Sequence, residues 1–152
     1  MKKEVRKMTE SNLIDDCLFC KIIRGEIPSY TVFENDDVKA FLDISQVNEG
    51  HVLMVPKKHL VNFFDYEKAD AERFLKYIPE IARAIKKSND KITGMNITSN
   101  NGEVAGQVVM HSHIHFIPRW EGDGIKFFTR NNADQYDEVK YQAVCDKIKE
   151  QF

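Results

Sequence analysis

The run from Val108 to Ile117, closed by Pro118, is the longest strand signal in the chain, and every second residue at its centre is a histidine: His111, His113 and His115. A strand sends alternate side chains to one face, so the three imidazoles are expected on a common face. Shorter strand signals run from Thr31 to Glu34, Val38 to Leu42, His51 to Pro56 and Gly94 to Ser99. Asn35-Asp36-Asp37 reads as a turn that joins the first two of these into a hairpin. Between Tyr66 and Lys87 the apolar residues Phe74, Leu75, Ile78, Ile81, Ala82 and Ile85 recur at helical spacing, with Pro79 predicting a kink near Tyr77. Tyr136 to Gln151 shows the same spacing through Tyr141, Val144, Cys145 and Ile148. The expectation is an α+β chain with a mainly antiparallel five-stranded sheet, one long helix and a C-terminal helix.

At 152 residues the chain has room for one domain. Residues 1–16 are charged and without sustained period, and read as a flexible N-terminal arm before a single domain at 17–152. With 22 basic and 24 acidic residues, a net charge of −2 does not favour a nucleic-acid polymer or an anionic membrane as partner, so an anion needs a local site. No apolar run approaches the roughly 20 residues of a membrane span, and the opening lacks the apolar stretch of a signal peptide, so a cytoplasmic protein is expected. Cys17 and Cys20 are too close to staple a fold, which leaves a metal pair or a redox pair. Redox use is disfavoured because this C-x-x-C does not open a helix in a βαβ unit. Cys145, on an apolar helical face, reads as core.

On one flat strand, same-face neighbours stand about 6.8 Å apart and the first and third about 13.6 Å, so at most two of the triplet can share one metal ion. Half-buried structural histidines are the plain alternative, but each buried imidazole needs hydrogen-bond partners where an apolar residue needs none. A neutral imidazole that can also carry a proton near pH 7 suits attack on phosphorus or acid–base work. The other two histidines, His51 and His59, bracket one segment, so all five fall in two stretches that read as neighbouring strands. Just before the triplet, Asn100-Asn101-Gly102 and Gly106-Gln107 form a turn-prone loop of the kind that points backbone N–H groups at an anion.

Together these motifs resemble the histidine triad (HIT) superfamily, and most closely its Hint-like and bacterial Hit branch. The resemblance covers roughly residues 17 to 120, through Phe19-x-Lys21-Ile22-Ile23-x-Gly25-Glu26-Ile27-Pro28, Ala40-Phe41-Leu42-Asp43-Ile44, Gly50-His51-x-Leu53-x-x-Pro56-Lys57-x-His59, Asn101-Gly102-x-x-x-Gly106-Gln107 and the triplet itself. It implies a nucleotide hydrolase or transferase acting at an α-phosphate, with His113 as nucleophile and a nucleotidyl-histidine intermediate. By the same resemblance His115 and Gln107 bind phosphate oxygens, with Gly106 in the phosphate loop, and His51 lies near the phosphate or leaving group. Asp43 accepts from the ribose hydroxyls, Asn100 bonds near ribose and phosphate, and Phe19, Phe41, Leu42 and Ile44 form the base pocket for a purine nucleotide. Substrates implied are nucleoside phosphoramidates, with dinucleoside polyphosphates or a weakly active nucleotide-binding regulatory role as alternatives. Where the family usually has Ser or Thr after Gly-Gln, this chain has Val108, which keeps only the backbone N–H. Cys17, Cys20, His59 and His111 match the set that holds a structural zinc in bacterial relatives, and a homodimer with a continuous sheet is implied. Trp120 and the segment after it read as a surface or dimer element.

Overall fold

The structure is a computed structural model that describes residues 12–152. The chain runs α1 (Leu18–Arg24), β1 (Thr31–Glu34), β2 (Val38–Leu42), β3 (Val52–Pro56), α2 (Lys68–Phe74), α3 (Ile78–Lys87), β4 (Gly94–Thr98), β5 (Ile114–Arg119) and α4 (Glu138–Lys149). All five strands form one antiparallel sheet in the order β1-β2-β3-β5-β4. The expected α+β architecture is present, and the stretches carrying His51 and the triplet do become neighbours, with Leu53 opposite His115. The expected long helix is interrupted by a tight turn at Leu75–Tyr77, where Pro79 near the start of α3 needs no intrahelical donor. No helix among the described residues is long and apolar enough to cross a membrane.

The period of two in the strands sorts the core into two layers. Val38, Ala40, Val52, Met54, Ile114 and Phe116 face α2 and α3, meeting Phe74, Ile81 and Ile85. Phe41, Leu53 and Val55 face the other way, onto Phe19, Cys20 and Ile22 of α1. That explains the unbroken apolar run in β3: it is buried on both faces. α1 itself escaped the sequence reading, because seven residues are too few for a visible helical period. Its signals are local. The Cys17 thiol caps the first turn by accepting from the Cys20 N–H, and Gly25 closes the last turn with φ of 79° in the left-handed region.

Two readings need correction. Strand β5 begins only at Ile114, so His115 lies on it while His111 and His113 precede it in an irregular segment. The cause is competition for backbone groups. The ladder with β3 covers only Met54 to Val52, and before it Ser112 N–H donates to the Leu60 carbonyl at 2.6 Å while the Ser99 hydroxyl donates to the His113 carbonyl at 2.9 Å. Cys145 is exposed rather than core, because α4 buries no residue among the described part of the chain. The expected arm at 1–16 is described only from Asn12, residues 1–11 lying outside the described residues. Its end is tied to the body, with His59 N–H donating to the Asn12 carbonyl at 2.8 Å and Arg24 to the Ile14 carbonyl at 3.2 Å.

Candidate active site and metal centre

The five histidines separate into two groups on the α1 side of the sheet: His59 and His111 beside the two cysteines, and His51, His113 and His115 beside Asp43. His111, fully buried, places Nε2 3.0 Å from the Pro56 carbonyl. A carbonyl can only accept, so Nε2 carries the hydrogen and Nδ1 keeps its lone pair. That lone pair faces Cys17 Sγ at 3.5 Å and Cys20 Sγ at 3.4 Å, and His59 Nδ1 stands 3.4 Å from Cys20 Sγ. The four donor atoms lie within 4.8 Å of one another.

A tetrahedral zinc with bonds of about 2.3 Å to sulfur and 2.0–2.1 Å to nitrogen sets S···N edges of about 3.6 Å, so the spacing fits a metal ion. The chemistry fits as well. Burial pushes the Cys20 thiol up to about 11 and holds His111 down to about 4. The imidazole is thus neutral and ready to ligate, while the thiol readily releases its proton only when a cation binds the sulfur in its place. Cys17 does sit at the head of a helix, but that helix leads into an antiparallel hairpin and not a βαβ unit.

The second group is built the opposite way. His113 Nδ1 lies 2.7 Å from the His111 carbonyl, so it is Nδ1 that carries the hydrogen and Nε2 that presents a lone pair. The irregular backbone before β5 leaves that carbonyl free of the sheet ladder. Burial holds His113 below the usual imidazole range, with the His111 carbonyl and the Asp43 carboxylate working the other way. His51 is anchored by a donor instead: Val47 N–H points at its Nδ1 at 3.2 Å, which fixes the hydrogen on Nε2. Nε2 stands 2.9 Å from His115 Nδ1, which must accept, so His115 carries its own hydrogen on Nε2. The His113 and His115 rings are 5.0 Å apart. One therefore offers a lone pair and the other an N–H, both on Nε2. Burial, followed by the neighbouring His113 and His51, holds His115 down to about 4, and burial also lowers His51.

Asp43 Oδ2 is 3.6 Å from His51 Nε2 and 4.0 Å from His115 Nδ1, and Oδ1 accepts from Ser45 N–H at 2.8 Å. These three side chains also group closely enough for a metal ion, but the Val47 N–H keeps a proton on the His51 nitrogen that would have to ligate.

The remaining residues singled out from the sequence are placed as follows. Phe19 and Phe41 are buried and meet edge to face at 5.7 Å, and Phe19 stands 5.1 Å from the His113 ring. Leu42, next along the strand, packs on the α2/α3 layer instead, as alternation requires, and is not part of that pocket. Ile44 is 90% exposed and lies outside both core layers. Gln107 is 3% exposed and fully engaged inside the protein: Nε2 donates to the Val61 and Val109 carbonyls, and Oε1 accepts from Gly102 N–H at 2.8 Å and from Asn62. Its side chain clamps the loop and has no hydrogen left over for a phosphate.

The N–H groups of Ala105, Gly106 and Gln107 are also turned inward, onto Gly102 and Glu103 carbonyls. Asn100 donates to the Gly106 carbonyl at 3.2 Å, and Gly106 has a φ of 89° with Asn100 3.4 Å from where a Cβ would stand. Val108 is 87% exposed, and among the described residues its N–H has no partner. Sequence reasoning missed Val47, Asn62 and Ser99, and the carbonyls of Pro56 and His111. These act mostly through backbone groups, which every residue carries, so composition gives no signal for them.

A family model for the HIT domain matches residues 24–122. The chain is 44% identical over 135 residues to Protein hit of Bacillus subtilis, covering 88% of this chain and 92% of that one. It is 36% identical over 140 residues to the adenosine 5′-monophosphoramidase of Candida albicans, covering 90% and 91%. Among solved structures, a HIT-family member from Bacillus subtilis superposes with a TM-score of 0.86 at 42% identity, covering 91% of this chain and 98% of that one. A zinc-bound histidine triad protein from Mycobacterium smegmatis gives 0.69 at 32% identity, covering 79% and 86%. With that model spanning the triplet, the loop before it and the sheet that carries them, the chain belongs to the HIT family.

Proposed function

We propose that this chain is a nucleotide hydrolase that cleaves nucleoside phosphoramidates at the α-phosphate through a nucleotidyl-histidine on His113. The observation that carries the reading is the pairing of a locked Nε2 lone pair on His113 with an Nε2–H on the adjacent His115. His113 Nε2 attacks phosphorus, the P–N bond of the phosphoramidate breaks, and the departing amine takes up one proton from solvent. Water then attacks the same phosphorus, the P–N bond to His113 breaks, one proton of the water returns to solvent, and the nucleoside monophosphate leaves with the ring neutral again. The hydrogen on Nδ1, held by the His111 carbonyl, steadies the cationic ring of the intermediate as an ordinary charge-assisted hydrogen bond.

His115 Nε2–H is directed to a phosphate oxygen or the departing group, and His51 holds His115 in that tautomer. The N–H of Val108, directly after Gln107 and without a partner among the described residues, is assigned to the phosphate. Phe19, Phe41 and Ile44 are assigned to the base and Asp43 to the ribose hydroxyls. Asn100 acts by shaping the loop. Gln107 likewise acts through the loop it clamps.

Cys17, Cys20, His59 and His111 would hold a structural zinc, whose chemistry is confined to binding two thiolates and two imidazoles. The Pro56 carbonyl orients His111 from behind, and that in turn positions the carbonyl that holds His113. A homodimer with a continuous sheet and a cytoplasmic location, where the two thiols stay reduced, complete the reading. The deciding experiment is a turnover panel of adenosine phosphoramidates and dinucleoside polyphosphates with His113→Ala as control. The reading requires AMP release from the phosphoramidate by wild type and none by the variant, and equal turnover by both refutes it.

A further inference from the structure

Gln46 is an exposed residue on the loop between β2 and β3, yet all of its side-chain hydrogen-bonding groups are given to backbone. Its Nε2 donates to the Asp43 carbonyl at 2.5 Å and to the His51 carbonyl at 2.7 Å. Its Oε1 accepts from Gly50 N–H at 2.9 Å and His51 N–H at 3.1 Å. Four bonds from one amide thus close the loop across its mouth, tying Asp43 at one end to His51 at the other. The loop backbone makes its own closure there as well, Asp43 N–H donating to the His51 carbonyl at 3.0 Å. Inside the closed loop, the next residue, Val47, aims its N–H at His51 Nδ1.

That N–H and the Asp43 carboxylate, 3.6 Å from Nε2, both favour the hydrogen on Nε2, while the Ser45 backbone bonds the protonated ring, and of these three the N–H is the one the loop clamp holds in place. Without it, the neutral ring is free to move the hydrogen to Nδ1, and Nε2 then faces His115 Nδ1 as a second acceptor across 2.9 Å. His115 would answer by carrying its hydrogen on Nδ1, and its Nε2 would turn from donor to acceptor. Two acceptors would then point at a phosphate where one donor and one nucleophile are needed.

We infer that Gln46 is a positioning residue: by clamping the Asp43–His51 loop it holds the Val47 N–H on His51 and so fixes the tautomers of His51 and His115. The effect on catalysis rests on the hydrolase reading above, whereas the effect on tautomers does not. The test is Gln46→Ala beside Gln46→Glu, which keeps the acceptors, loses both donors and sets a carboxylate against two carbonyls. In nitrogen-15 spectra of the histidine rings, wild type is expected to show His51 and His115 each with the hydrogen on Nε2, and both variants a mixture with Nδ1. In turnover of an adenosine phosphoramidate, kcat is expected to fall roughly tenfold to a hundredfold, the range for a slightly misplaced catalytic group, with KM within about twofold.

Melting temperature checks that both variants fold. Unchanged tautomers overturn the inference whatever happens to the rate, since a rate loss alone would mark a merely structural residue. Changed tautomers with an unchanged kcat overturn the catalytic half. If wild type turns over no phosphoramidate, the hydrolase reading fails while the tautomer measurement still judges Gln46.

Discussion

His111 and His113 are two residues apart, equally flanked by histidine chemistry, and both packed edge-on against Phe19 at 6.0 and 5.1 Å, yet they face opposite tasks. The difference lies in one carbonyl each. Pro56 takes the Nε2 hydrogen of His111 and leaves Nδ1 to the sulfurs, whereas the His111 carbonyl takes the Nδ1 hydrogen of His113 and leaves Nε2 with its lone pair. In the proposed reading a ring nitrogen serves as ligand or as nucleophile according to what the other nitrogen is bonded to, and in both cases that partner is backbone.

The comparison breaks most sharply at His113. His113→Ala is expected to lower AMP release from a phosphoramidate by about 10³-fold or more, with metal content unchanged. Loss of metal from this variant would mean the two groups are not separate. On the other side, Cys17→Ser with Cys20→Ser is expected to take bound zinc from about one per chain to none. It should also cost at least about 3 kcal/mol of stability, seen as a melting temperature lower by about 10 °C. AMP release should fall by less than in His113→Ala, because the nucleophile remains while its carbonyl anchor loosens. Elemental analysis and thermal melts decide, and a metal-free wild type ends the comparison outright.

Next in size is the response to acid. Burial holds His51, His113 and His115 below the usual imidazole value, His115 down to about 4. Folding thus disfavours the protonated form, so this penalty is absent above the unfolded value near 6.5 and grows as pH falls below it, as the unfolded chain gains protons that the fold refuses. The expected loss is about 1.4 kcal/mol per pH unit for each such histidine until its folded value is reached. Denaturant melts from pH 7 to 5 measure it. Turnover should hold level below pH 6.5, and an acid limb centred at or above 6.5 would show that His113 titrates like a free imidazole. Smallest is Val108→Ser. At so exposed a position, a hydroxyl added for the phosphate is expected to improve kcat/KM by about fivefold, or about 1 kcal/mol, at little cost to folding.

Where side-chain pattern decides the outcome, the sequence was a sufficient guide. The strands, the broken helix and the proximity of β3 and β5 follow from period, punctuation and residue type, and the Cys17–Cys20–His59–His111 grouping from the resemblance to bacterial HIT proteins. It failed where backbone groups compete. Alternation through the triplet predicted one strand, but Leu60, Ser99 and the His113 ring take the groups that a ladder would need. Gln107 looked like a phosphate ligand because an amide in a glycine loop gives no hint that its partners, Val61 and Asn62, lie 45 residues or more away. Cys145 looked buried because an amphipathic period says which face is apolar and not whether anything covers it.

The sulfur–imidazole cluster also bears on the order of assembly. Cys17 and His111 are separated by 94 positions, and bringing such distant points of an open chain together costs about 4 kcal/mol of loop-closure entropy before any contact is made. His111 reaches its place only when β3, whose last carbonyl it holds, is laid beside β5. Loop-closure entropy thus predicts a late clasp, assembled after the sheet. An ion seated there would act chiefly by slowing the route back to the unfolded chain.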